Sequence, residues 1–175
     1  MYVRIKQIQQ GAGAWMLYEV EDELECSDLK LDGPVDLKLK LTNAETRILV
    51  QGTAAASVTM ECARCSEEFH LPIEIELEEN FVPITSPEAE ATGIDAYEVL
   101  TYKEDRLYID EMLRQNFLAA VPMQPICRGG RCKGMCDQCG TNLNTDTCQC
   151  EKEEIDPRWV ALKEIKNRGS KPSLN

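Results

Sequence analysis

The chain has 175 residues, a net charge of −12 and nine cysteines, and 43% of its residues are hydrophobic. That is enough for one modest core, or for one domain with a small appended module. No run approaches the roughly 18 apolar residues of a membrane span. "MYVRIKQIQQ" has no apolar segment of the secretory kind, so a cytoplasmic location is expected. Structural disulfides are rare there, and an odd number of cysteines suits a fully bridged framework poorly.

The first half reads as strands, beginning with the weak candidates "YVRIKQI" and "WMLYEV". In "VDLKLKLT" (35–42), Val35, Leu37, Leu39 and Leu41 alternate with Asp36, Lys38 and Lys40, as in a half-buried antiparallel strand. "TRILVQGTAAASVTM" is expected to form two strands around Gln51-Gly52. In "FHLPIEIEL", Phe69, Leu71, Ile73, Ile75 and Leu77 face one way, and His70, Glu74 and Glu76 the other. Pro72 falls on the outer face, which predicts an edge or a bulge. Residues 83 to 98 read as a loop, with two prolines, a glycine and scattered acids.

"IDEMLRQNFLAAVP" predicts a helix capped by Asp110 and stopped by Pro122. Its apolar stripe is Leu113, Phe117 and Ala120, joined by Met112 and Val121. After a cysteine-rich run, "DPRWVALKEIKNRG" predicts a terminal helix. Asp156 would cap it, Pro157 would occupy its first position and Gly169 would end it. The expected class is α+β: an antiparallel sheet or small barrel with a packing helix, then a small cysteine-rich, zinc-ribbon-like module and a terminal helix. The expected domains are 1–122 and 123–175.

Charge is unevenly placed. Residues 61 to 111 carry fifteen acids against three bases, so the remainder is balanced. Such a segment repels phosphate and attracts basic protein, although the plain reading of a charge run is a solvated surface. Arg128, Arg131 and Lys133 make a small basic patch, the candidate contact to RNA or a partner.

The cysteines carry the clearest chemistry. Cys136, Cys139, Cys148 and Cys150 form C-x2-C-x8-C-x-C, with Gly140 after the first pair. Two close pairs of thiolates are what tetrahedral zinc requires, and the glycine lets the backbone bend over the sulfurs. Residues 123–156 hold few large apolar side chains to offset an ordering cost of about 1–2 kcal/mol per residue. A structural zinc contributes roughly 10–16 kcal/mol and supplies the missing core.

"CARC" (62–65) falls at a hairpin tip between strands, where a zinc knuckle belongs. A thioredoxin-type pair would open a helix instead. Cys127 and Cys132 are the obvious partners, giving a possible second site of Cys62, Cys65, Cys127 and Cys132 that ties the sheet to the module. Cys132 could instead enter the first site, so the partition among these cysteines stays open. Cys26 is a lone buried or loop thiol.

Little suggests catalysis. The single histidine, His70, reads as a surface residue, and nothing places a nucleophile beside it. Gly129-Gly130 lacks the rest of a phosphate-binding loop. A closed thiolate site has no open position for metal hydrolysis. No enzyme activity, small-molecule substrate or membrane partner is expected.

Several motifs stand together: "CARC", "FVP" (81–83), "ID" (109–110), "LAAVPMQPIC" (118–127), "CKGMCDQCGTNLN" (132–144), "CQC" (148–150) and "DPRWVALKEI" (156–165). Over residues 58 to 165 the chain resembles the YceD family, bacterial and chloroplast proteins linked to accumulation of large-subunit ribosomal RNA. The resemblance implies a role in large-subunit ribosome biogenesis. In that context the acidic middle would hold a basic ribosomal protein or assembly factor, with large-subunit ribosomal RNA as a further candidate through the basic patch. It implies no catalytic residues. Members differ in how much of the C-terminal cysteine cluster they keep, which favours a structural role for the metal. The alternatives are a zinc-stabilised protein-interaction scaffold, and a thiol-redox or RNA-processing enzyme.

Overall fold

The structure is a computed structural model that describes residues 1–87 and 100–150. Seven strands form one sheet: β1 (Tyr2–Arg4), β2 (Trp15–Asp22), β3 (Val35–Asn43), β4 (Ile48–Glu61), β5 (Glu68–Pro83), β6 (Leu100–Lys103) and β7 (Arg106–Tyr108). Their order is β1-β7-β6-β5-β4-β3-β2, so two strands adjacent in sequence lie at opposite ends of the sheet. The sheet wraps into a nearly closed barrel, because one core takes side chains from both ends: Val3 and Leu107 from one, Leu37, Leu39 and Leu41 from the other.

The turn from β1 to β2 is pinned by Asn43, a buried polar side chain at the end of β3. Its amide donates to the Ile8 carbonyl at 2.8 Å, and its backbone accepts from Gly13 and donates to Ala14. Buried this way, the amide is satisfied rather than costly.

Alternation positions β3 and β5 as expected. Val35, Leu37, Leu39 and Leu41 are buried, as are Ile73, Ile75 and Leu77, while Glu74, Glu76 and Glu78 are exposed. Pro72 does lie at a sheet edge: β5 pairs with β4 from Glu68 to Phe81, and with β6 only from Phe81 to Pro83.

Several expectations are corrected. "TRILVQGTAAASVTM" is one strand, not two. β4 pairs without a break from Ile48 to Glu61, and Gly52 lies within it, opposite Leu77. The sheet is not wholly antiparallel, since β6 runs parallel to β5. β6 and β7 form a hairpin turned at Glu104 (φ 55°), in a stretch that carried no clear strand signal.

Helix α1 (Asp110–Ala120) starts one residue earlier than a cap at Asp110 would place it. Ile109 is its cap residue, without a side-chain bond, and Asp110 lies in the first turn with its carboxylate against the Met1 amino group. Acids in a first turn complement the helix dipole. Met112, Leu113 and Phe117 are buried as expected, but Ala120 is exposed. Arg114 clamps the helix to the β2–β3 connection, donating to Asp28 at 2.6 Å and to Glu111. Arg114, then Gln115, hold the Glu111 carboxyl down at about 2.

The chain forms two compact units, Met1–Cys132 and a second beginning at Lys133. The expected boundary after 122 lies ten residues before this one. Residues 123–132 go with the sheet because Ala63 donates to the Pro125 carbonyl and Cys127 and Cys132 meet the β4–β5 hairpin tip. The expected loop lies mostly outside the described residues, and the expected terminal helix lies wholly outside them.

Candidate metal centres

The described cysteines gather into two sets of four. Cys62, Cys65, Cys127 and Cys132 form one, and Cys136, Cys139, Cys148 and Cys150 the other. Within each set all sulfurs lie within 4.8 Å of one another. Cys65 and Cys127 Sγ are 3.7 Å apart, Cys139 and Cys148 are 3.5 Å apart, and Cys136 and Cys148 are 3.3 Å apart. A tetrahedral ion with metal–sulfur bonds of about 2.3 Å sets its sulfurs about 3.8 Å apart. Both sets therefore fit a soft, four-coordinate metal.

The two CxxC turns share one construction. In the first, the Cys62 N–H donates to the Glu67 carbonyl and the Ser66 N–H to the Cys62 carbonyl, both at 2.9 Å. In the second, the Cys136 N–H donates to Thr141 at 2.8 Å and the Gly140 N–H to Cys136 at 2.9 Å. Each turn ends on a positive φ, 54° at Ser66 and 70° at Gly140. Only glycine adopts that conformation without steric cost. Ser66→Gly should therefore stabilise the first unit by about 0.5–1 kcal/mol, the left-handed penalty relieved less glycine's greater chain entropy. Denaturant unfolding of the metal-loaded protein checks this, and a destabilised variant would contradict it.

The second half of each site differs. In the first set the Cys127 N–H points at Cys62 Sγ, 3.4 Å away, and Arg64 Nη1 donates to the Cys132 carbonyl at 3.0 Å. Arg128, Gly129 and Gly130 all take positive φ, turning the chain tightly between Cys127 and Cys132. Phe69 and Ile126 pack on the sulfurs, and all four cysteines are at most 4% exposed. In the second set the Cys150 N–H donates to Cys148 Sγ at 3.2 Å. Asn142 Oδ1 accepts from the Asn144 N–H, Asn144 Oδ1 accepts from the Lys133 N–H, and Leu143 donates to the Gly134 carbonyl. "GTNLN" is thus the frame that returns the chain toward its own knuckle. Cys139 and Cys150 are exposed.

The sulfurs conflict electrostatically when no metal is bound. The Cys127 N–H, against the effect of burial, holds the Cys62 thiol down at about 6. Cys65 is pulled down by the Glu67 N–H, but burial and the thiols of Cys132, Cys62 and Cys127 outweigh this and push it up to about 12. In the second set Thr141 holds Cys139 down at about 6, while Cys148 and Cys139 push Cys150 up to about 12. A bound cation removes this conflict by stabilising the thiolates together.

The sets also differ in access. Challenged with a strong chelator, the metal-loaded protein should release metal in two phases, the exposed set at least about tenfold faster because it opens without disturbing the sheet. Cys136→Ser should abolish the fast phase alone. A single phase, or loss of the slow one, would contradict the assignment.

The partition left open by sequence is resolved by geometry: Cys132 joins Cys62, not Cys136. Cys26 is a half-buried loop thiol packed against the main core. His70 is exposed on the outer face, with Nδ1 3.1 Å from Asp32 Oδ2. Of the basic patch, Arg128 faces Glu67 at 3.9 Å, and Arg128, Arg131 and Lys133 are all exposed. No helix among the described residues is long and apolar enough to cross a membrane.

Comparison with known proteins adds the family. The chain is similar to an uncharacterized protein of Mycobacterium tuberculosis, Rv2926c, with 32% identity over 173 residues, covering 94% of this chain and 81% of the relative. It is similar to an uncharacterized protein of Mycobacterium leprae, ML1660, with 27% identity over 142 residues, covering 81% of this chain and 64% of the relative. YlbN of Bacillus subtilis, also uncharacterized, is 23% identical over 139 residues, covering 79% of this chain and 78% of the relative. No solved structure matches. The family model described as "Large ribosomal RNA subunit accumulation protein YceD" matches residues 50–166, a span that takes in both cysteine sets, and the chain belongs to that family.

Proposed function

We propose that this protein is a cytoplasmic, non-catalytic factor in large-subunit ribosome biogenesis, stabilised by two structural zinc ions. Membership of a family described by accumulation of large-subunit ribosomal RNA carries the reading. The metal chemistry agrees with it: four thiolates close a tetrahedral zinc and leave no position for substrate, so the ions order the chain rather than react. Cys62, Cys65, Cys127 and Cys132 hold one ion, and Cys136, Cys139, Cys148 and Cys150 the other.

The partner is a basic ribosomal protein or assembly factor. The negative charge of the sheet unit favours protein over phosphate, since binding to nucleic acid relies on clustered lysine and arginine. Arg128, Arg131 and Lys133 are the residues available for a secondary RNA contact. The test is affinity capture of the tagged full-length protein at low and high salt, with RNA and protein both identified. The reading expects large-subunit precursors or their proteins, held more strongly at low salt. Capture of neither would refute it.

A further inference from the structure

β5 offers a free edge. No strand among the described residues pairs with Glu68–Asn80 on the side away from β4. The direction of its backbone groups follows from two observations. Pro72 sits opposite Ser57 and has no N–H to give β4. The Ile84 N–H, on the other side, donates to the Tyr102 carbonyl at 3.0 Å. Backbone groups alternate along a strand. The even-numbered residues, Glu74, Glu76, Glu78 and Asn80 among them, therefore turn their N–H and C=O groups toward the free edge. β6 already continues this row at its C-terminal end, so the edge is competent to accept a strand.

The same even residues place their side chains on the exposed outer face. Three glutamates at every second position make a line of negative charge beside the open backbone. Among the described residues Glu78 is reached by the Gln51 amide at 3.2 Å, and neither Glu74 nor Glu76 is engaged in an ion pair. Edge strands invite pairing, and like charges directly opposite one another oppose it. A second copy would set glutamate against glutamate. An extended segment with lysine or arginine at alternate positions would set opposite charges in register.

We infer that the β5 edge over Ile73–Asn80 is a docking edge for an extended basic segment of a protein partner, added as a strand. This rests on the assembly-factor reading and specifies how the basic partner is held. Every second side chain of the added strand carries positive charge beside Glu74, Glu76 and Glu78. The others turn toward Ile73, Ile75 and Leu77 and are apolar.

The test uses the full metal-loaded chain, isotope-labelled, titrated with a peptide of alternating lysine and valine about eight residues long. The expected result is amide shifts confined to residues 72–80, with slowed exchange at Glu74, Glu76 and Glu78. Glu76→Pro removes one edge-facing N–H and spares the β4 ladder, as Pro72 does naturally, and should abolish binding. Glu74→Lys with Glu76→Lys alters only exposed side chains and should weaken binding about tenfold by replacing attraction with repulsion. The inference is overturned if the peptide shifts other residues instead, if it shifts none, or if a folded Glu76→Pro binds it unchanged. It is also overturned if a single-stranded oligonucleotide perturbs the same amides and displaces the peptide. Failure here with ribosomal capture intact removes the edge and leaves the function. Failure of capture with the edge intact does the reverse.

Discussion

Cys62→Ser should halve the metal content of the protein and release residues 123–132 from the sheet. The segment is held mainly at the cluster, by the Cys127 and Cys132 sulfurs and the packing of Ile126, with the Ala63–Pro125 and Arg64–Cys132 hydrogen bonds and the Arg128–Glu67 pair beside it. Both arginines of the loop, Arg128 and Arg131, are exposed and become trypsin sites once the loop opens. Losing a metal ligand belongs to the class of changes that cost about 4 kcal/mol or more. A change of that size raises the open population about a thousandfold, and cleavage follows that population. The barrel should stay folded, because its core and the cysteine cluster are separate groups of buried residues. Limited proteolysis with mass analysis, beside metal quantitation, reads both effects. A variant that keeps two metals, or resists trypsin at 128 and 131, would contradict the assignment of the site. Cys136→Ser should also lose one metal, yet leave those two bonds protected.

Gly52→Ala should be the most damaging single methyl in the barrel. A Cβ at this position would lie 1.9 Å from the Lys38 carbonyl oxygen and 2.9 Å from Leu39 Cα, both backbone atoms of β3. The glycine also has a φ of 154°, which side-chain-bearing residues rarely adopt. Neither neighbour can swing away as a flexible side chain would, since Leu39 is directly paired with Gly52 in the ladder. Relief requires β3 and β4 to separate, in a region where Leu39, Val50 and Ala54 are almost wholly buried. Overpacking of this kind, compounded by strain, costs about 3–5 kcal/mol. For a unit of this size that lowers the thermal midpoint by roughly 12–20 °C. Calorimetry of the metal-loaded variant measures it, and a midpoint within a few degrees of the parent would refute the close-approach argument.

Much of this was legible from sequence, and for local reasons. Alternation fixed the buried faces of β3 and β5 because side-chain direction in a strand has a period of two. Pro122 marked the end of α1, which stops at Ala120. Cysteine spacing separated the two metal sets in outline. What was missed depends on contacts far along the chain. Gly52 looked like a turn because a strand-interior glycine and a hairpin glycine are identical in sequence. Only the approach of Lys38 distinguishes them. β6 and β7 are too short to show a period, and β7 is defined by pairing with β1, whose residues lie a hundred positions away. Asp110 looked like a cap because aspartate favours both the cap and the first turn. Ala120 shared the helical period of the apolar stripe, but small residues near a helix end need no burial.

The two knuckles are built alike, yet they close loops of very different length. In the C-terminal unit the cysteines span residues 136 to 150, so metal can gather them from a short stretch of chain. In the sheet unit Cys65 must find Cys127, 62 residues away in sequence. Chain-closure entropy grows with the logarithm of that separation, and a β-rich domain must first bring distant segments together. The knuckle at 62–65 therefore stands half-liganded until the β4–β5 hairpin is set and residues 127–132 arrive. During synthesis that means the barrel is assembled before its clip is fastened. The second ion can be taken up as soon as Cys150 has emerged, independently of the sheet. The protein would in this way complete its two units on separate clocks, the local one set by metal supply and the distant one by folding of the barrel.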